Sequence, residues 1–264
     1  MKKVRSIFVC LICFGLFTAS YAQIENPFLS SKEKKEPIFS VNKRTVLIVF
    51  DASGSMEDKI RDETKIHIAK RVLEDVLLKV DSGVNIGLRA YGLKEPIGNP
   101  EADCTDSRLL VFPDTNNRRT IISEIYKVLP KGFTPITYSL LQAVRDLTPY
   151  KGEKSIILIS DGLETCGGDP CELAHEINLQ NIDLKIDVVG FGVQDDWQAQ
   201  EQLMCIALNT MGRYFSANSA EELTTGLQES INKTVTGRIL TMLGKDFENQ
   251  SLPLLEPEVL MITN

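Results

Sequence analysis

The sequence predicts an α/β protein, a doubly wound and mostly parallel six-stranded sheet flanked by helices. Three observations lead there. Short apolar runs rich in β-branched residues, such as Arg44–Phe50 and Ser155–Ser160, have the composition of strands buried on both faces. Between such runs lie stretches with apolar residues at helical spacing, as in Ala69, Val72, Leu73, Val76, Leu77 and Val80. The two patterns alternate from residue 43 to residue 236, and no internal repeat interrupts them.

The first strand, Arg44–Phe50, runs into the turn DASGSMED, and a long amphipathic helix is expected from Ile60. Val84–Tyr91 and Arg108–Phe112 read as the second and third strands, with a loop containing Cys104 between them. Asp114 or Thr115 can cap a helix carrying Ile121, Ile122, Ile125 and Leu129. After KGFTP a further helix carries Ile136, Leu140, Leu141, Val144 and Leu147. Ser155–Ser160 is the fourth strand, and Pro170 can open a helix that runs to about Asn181. Leu184–Gly192, a helix over Ala199–Thr210, a short strand at Arg213–Ser216 and a helix over Ala220–Lys233 complete the series.

The termini follow other rules. Residues 1–22 carry Lys2, Lys3 and Arg5, then an apolar run from Ile7 to Phe17, then Ser20-Tyr21-Ala22. This is the pattern of a cleaved secretory signal, and the run is shorter than the roughly 20 residues a spanning helix needs. Residues 23–42 are polar with two prolines and read as a linker, and residues 237–264 read as a C-terminal tail. Cleavage near Ala22 removes three cations and no anions, which moves the net charge from −7 to −10 and leaves four of the six cysteines. The expected mature chain is secreted or periplasmic, has no transmembrane anchor, and sits where disulfides persist. Its acidity argues against nucleic acid as a partner, because phosphates demand Lys and Arg.

The chemistry concentrates at predicted strand ends. Asp51-Ala-Ser53-Gly-Ser55 follows the first strand, Ser160-Asp161-Gly162 follows the fourth, and Thr134 stands in the loop before a helix. In a doubly wound sheet the carboxyl ends of the strands form the ligand-binding rim. Two carboxylates and three hydroxyls are expected there, all hard oxygen donors suited to Mg2+ first, then Mn2+ or Ca2+. A helix-capping role would account for one of the serines but not for Thr134 and Asp161 as well.

This set resembles the von Willebrand factor A (vWA) family and its metal-ion-dependent adhesion site (MIDAS). The family pattern DxSxS corresponds to Asp51, Ser53 and Ser55, its distal threonine to Thr134 in a TPI context, and its distal aspartate to Asp161 in an SDG context. The resemblance covers about residues 43–233. It implies hydroxyl ligation by Ser53, Ser55 and Thr134, with Asp51 and Asp161 acting directly or through water. It also implies a protein partner whose Asp or Glu carboxylate replaces a water on the cation. The CGGDPC segment, with QLMCIA downstream, is similar to a bacterial subset of the family.

Four cysteines allow three pairings. Neighbouring elements favour Cys104 with Cys166 and Cys171 with Cys205; a local Cys166–Cys171 bridge and a four-cysteine zinc site are the alternatives. His67 and His175 read as helix-face residues, Trp197 as a packing or capping residue, and Phe133 and Tyr138 as candidates to border the rim. Asp103 and Asp106 read as a solvated acidic loop rather than a second cation site.

Three functions compete: a metal-dependent binding module, a domain whose metal only stabilises the fold, and a Mg2+-dependent phosphohydrolase built on Asp51. The last needs a second acid or a lysine on the phosphate, and DASGS has serines where that acid would stand. No Ser-His-Asp set, glycine-rich phosphate loop or HExxH motif is present either.

Overall fold

The central strand, Thr45–Asp51 (β1), is buried along its whole length and organises everything around it. The computed structural model describes residues 44–180 and 184–232. The expected signal, linker and tail therefore lie outside the described residues, as do Asn181 and Lys233. After β1 come a 3-10 turn at Gly54–Glu57 and two short strands, Lys59–Ile60 (β2) and Glu63–Thr64 (β3), then helix Lys65–Leu77 (α1). Strand Asn85–Tyr91 (β4), the short helix Pro100–Asp103 (α2), strand Ser107–Asp114 (β5) and helix Arg118–Ile125 (α3) follow. Helix Ile136–Leu147 (α4), strand Lys154–Ser160 (β6), helix Pro170–Leu179 (α5) and strand Leu184–Phe191 (β7) come next. Helix Trp197–Asn209 (α6), strand Tyr214–Ala217 (β8) and helix Ala220–Asn232 (α7) complete the described fold.

The six main strands lie in the order β5-β4-β1-β6-β7-β8. All neighbours are parallel except β4 and β5, which pair antiparallel. The connection agrees with this: between β4 and β5 the only helix is the four-residue α2, and no long crossover helix of the kind that joins parallel strands is present there. Along β1, Val46, Ile48 and Phe50 join the core beneath α1, α3 and α7, while Leu47 and Val49 join the core beneath α4, α5 and α6. Strand β6 divides likewise, Ile157 and Ile159 against Ile156 and Leu158. Each such side chain contributes about 1.5–3 kcal/mol on burial, so the middle of the sheet is where stability concentrates. Among the described residues no helix is long and apolar enough to cross a membrane.

Four local expectations need correction. The helix expected from Ile60 starts at Lys65, because residues 59–64 form the β2–β3 hairpin with Arg61 in the left-handed region at φ 59°. Asp114 and Thr115 do not cap α3; Asn117 stands at its N-cap, Asp114 ends β5, and the Asp114 carboxylate accepts the Asn116 N–H. Leu129 falls beyond that helix and is exposed. Trp197 neither packs nor caps: it is 69% exposed at the start of α6, where Asp196 accepts the Ala199 N–H as the cap.

Candidate metal centre

Asp51 ends β1 fully buried, and a buried carboxylate must be satisfied by hydrogen bonds. Its Oδ1 accepts the Ser53 N–H at 2.7 Å, a bond within the DASGS turn. Its Oδ2 accepts the Tyr91 and Ser160 hydroxyls, each at 2.7 Å. Tyr91 reaches it because Asp51 and Tyr91 are register partners across β1 and β4. Burial, and then the Asp51 charge, push the Tyr91 phenol well above its ordinary value, so it keeps the proton it donates.

The two serines turn from Asp51 toward the neighbouring strand end. Ser53 Oγ lies 3.0 Å from Ser55 Oγ, and Ser55 Oγ donates to Asp161 Oδ1 at 2.7 Å. Asp161 follows β6, and its Oδ2 accepts the Lys65 ammonium at 2.8 Å. Burial first, and then the Asp51 charge, push the Asp161 carboxyl up to about 6, while Lys65 and Ser55 pull it down.

The loop carrying Thr134 is held against the same turn by backbone. Gly54 N–H donates to Gly132 O at 3.0 Å, Ser53 and Gly132 form a parallel bridge, and Lys131 N–H donates to Ala52 O. Gly92 makes the approach possible: its φ is +71°, and a Cβ there would stand 2.6 Å from Ser53 N. Thr134 is itself buried, and its N–H donates to Thr165 Oγ1 at 2.8 Å. Glu164 accepts the N–H groups of Thr137 and Cys166, both at 2.7 Å, which secures the loop after β6 beside the loop before α4.

All five oxygen-bearing residues named from the sequence therefore lie on one rim. A hard divalent cation fits their donor set: two carboxylates, three hydroxyls, and no nitrogen or sulfur. Among the described residues no group of three or more His, Cys, Asp or Glu side chains is placed to hold a metal, so a cation on this rim would draw on the hydroxyls beside the two carboxylates. Tyr91 and Lys65 escaped sequence reasoning. For Tyr91 the available signal is position, the last residue of the second strand; for Lys65 there is none, because the helix expected from Ile60 places it inside the first turns rather than at the start.

The surroundings separate what belongs to the rim from what does not. Cys104 pairs with Cys166, tying the loop before β5 to the loop after Asp161, with Cα atoms 5.4 Å apart. Cys171 pairs with Cys205 and joins α5 to α6. Neither the Cys166–Cys171 bridge nor the four-cysteine zinc site is formed. Asp103 and Asp106 are not a solvated acidic loop: both are buried, and they accept backbone N–H groups of Ile97 and Gly98, and of Lys94, respectively. Phe133 is 41% exposed beside Thr134. His67 and His175 are exposed on α1 and α5, with His67 3.6 Å from Glu63.

Comparison with known proteins agrees with this geometry. Residues 45–230 match the model of the von Willebrand factor type A domain. The chain is similar to the uncharacterized protein YwmD of Bacillus subtilis, 28% identical over 204 residues that cover 75% of this chain and 90% of that one. Among solved structures it resembles an aerotolerance-related membrane protein of Bacteroides fragilis, with TM-score 0.58 and 18% identity over 72% of this chain and 99% of that one. It also resembles proximal thread matrix protein 1 of the mussel byssus, whose structure is described with a zinc-occupied MIDAS motif; there the TM-score is 0.53, with 18% identity over 73% of this chain and 46% of that one.

Proposed function

The chain belongs to the von Willebrand factor type A domain family, and on that premise we propose that it is a secreted or periplasmic, non-enzymatic binding module that captures a protein partner through a divalent cation. The observation that carries this reading is the chain of hydrogen bonds that gathers the four residues: Asp51 Oδ1 accepts the Ser53 N–H, Ser53 Oγ meets Ser55 Oγ, and Ser55 Oγ donates to Asp161 Oδ1. Ser53, Ser55 and Thr134 are the direct hydroxyl ligands in this reading, and Asp51 and Asp161 supply the balancing charge. When bound, the cation supplies a Lewis-acidic position at which a partner's Asp or Glu carboxylate can replace water. The hard donor set favours Mg2+, with Mn2+ and Ca2+ as substitutes, and the zinc described in the mussel protein's MIDAS motif supports a divalent ion at such a site.

The residues divide the work. Tyr91, Ser160 and the Ser53 N–H hold the Asp51 carboxylate in one orientation. Thr165 and Glu164 hold the loop that presents Thr134. The hydroxyls of Ser55 and Ser160 are engaged by the Asp161 and Asp51 carboxylates that balance the cation's charge in this reading, and no histidine is among the site's residues, which favours binding over catalysis. The two disulfides and the apolar N-terminal run support an oxidising compartment.

The test is partner capture from native extract in Mg2+ with chelator elution, repeated with Thr134→Ala. The variant is expected to lose at least about tenfold in cation affinity and to capture nothing that EDTA releases. Equal capture by wild type and variant, or capture that persists in EDTA, would sink the reading.

A further inference from the structure

The rim holds one buried charge that cation binding does not call for. Lys65 has a side chain only 11% exposed and is in contact with Asp161. It is the first residue of α1, where a cation meets the positive end of the helix dipole, an unfavourable position unless something compensates. Its stem is accommodated deliberately. Gly192 has φ +69°, and a Cβ there would lie 3.0 Å from Lys65 Cε and 3.2 Å from Ile60 Cδ1. Every carboxylate oxygen of the cluster already accepts a hydrogen bond, and the one on Asp161 Oδ2 comes from this ammonium.

Charge arithmetic then separates this site from one with the same oxygens and no lysine. Two carboxylates and one ammonium leave a formal charge of −1. A divalent cation carries that to +1, and a single carboxylate from outside returns it to zero. Without the lysine the cation alone would neutralise the site. Because the rim is buried, these charges act through a lower dielectric than water and are weakly screened by salt.

We propose that Lys65 is a built-in counter-charge that makes the cation and the partner's carboxylate depend on each other: it weakens the cation bound alone and strengthens the pair bound together. This inference rests on the metal reading of the rim given above. It deepens that reading by making free carboxylate a requirement for tight metal retention rather than an optional ligand.

The experiment measures Mn2+ affinity at about pH 8 by the loss of the free-Mn2+ paramagnetic resonance signal, with and without acetate as the carboxylate probe. Wild type, Lys65→Met, Lys65→Gln and Lys65→Arg are compared, each first checked for folding by circular dichroism. Lys65→Gln keeps a hydrogen-bond donor for Asp161 while removing the charge, so it reports even if Lys65→Met does not fold. We expect the uncharged variants to bind Mn2+ about tenfold tighter without acetate. Acetate should tighten Mn2+ binding severalfold in wild type and Lys65→Arg, and should do little in Lys65→Met and Lys65→Gln. Unchanged or weaker Mn2+ binding in a folded, uncharged variant overturns the role of Lys65 while leaving the metal reading intact, and so does an acetate effect equal in all four proteins. Failure of all four to bind Mn2+ overturns the metal reading and this inference with it.

Discussion

The middle of β6 and the residue just past its end obey opposite rules. Ile156, Ile157, Leu158 and Ile159 are buried between two helical layers and need only be apolar and of suitable size. One step beyond Ser160, Asp161 is buried to nearly the same degree, but it is a charge, and it is held by two named partners, Ser55 and Lys65. Strand β1 repeats the contrast between Val46–Phe50 and Asp51. The interior is redundant, because many neighbours share each contact. The rim is specific, because a buried polar group that loses its one partner pays the full cost of desolvation. The interior holds the fold, and the rim spends some of that stability on keeping charge out of water.

Substitutions in the two regions should therefore fail differently. Leu158→Ala should lower the unfolding free energy by about 2–5 kcal/mol in urea melts. The cation affinity of the protein that remains folded should stay within about twofold, since a cavity in the core reaches no rim hydroxyl. A large loss of affinity in folded Leu158→Ala would show that the two regions are not separable.

The disulfides sharpen the same contrast. Removing either as a Cys→Ser pair should cost about 2–4 kcal/mol, seen in denaturant melts. Only the Cys104/Cys166 pair should also weaken cation binding, because Cys166 is adjacent to Thr165, which accepts the Thr134 N–H. The Cys171/Cys205 pair joins α5 to α6 and should leave calorimetric cation affinity unchanged. Equal effects on affinity would break the distinction.

A smaller effect is expected from Tyr91→Phe. It removes one of the three donors to the Asp51 carboxylate at constant shape, so the metal-free protein should lose about 1–3 kcal/mol. Thermal unfolding with and without Mn2+ checks this, and the variant should recover part of the loss when the cation is present.

The smallest effect concerns pH. Asp161 is raised in the folded protein from its ordinary value of 3.8 to about 6, by burial and then by the Asp51 charge. Between those values the folded state binds more protons than the unfolded one, so metal-free stability is greatest at the acid end and falls as pH rises through about 6. Cation affinity should move the other way, because the proton and the metal compete for the same carboxylate. Melts in EDTA and Mn2+ titrations at about pH 5 and about pH 7.5 test both slopes, and parallel slopes would contradict the assignment.

The elements that were legible in the sequence have local causes. The strands at β1 and β6 announce themselves by β-branched runs, and DASGS, Thr134 and SDG are attached to elements whose identity those runs establish. The β2–β3 hairpin was hidden because Ile60 continues a helical spacing, while the left-handed Arg61 that reverses the chain has no glycine to mark it. Asp103 and Asp106 looked like solvated acids because composition says nothing about where loop N–H groups point.

By itself, then, the amino-acid sequence determined the α/β class and the six strands of the main sheet, and it singled out the five oxygen-bearing residues proposed as the cation's site, because periodicity and short motifs are local properties of the chain. The tertiary structure alone decided that Tyr91 and Ser160 share one oxygen of Asp51, and that Lys65 stands against Asp161. Those contacts join residues 40 to 109 positions apart. They follow from β1 lying between β4 and β6, with α1 opening beside them, an order that burial of both sheet faces selects and that no local pattern spells out.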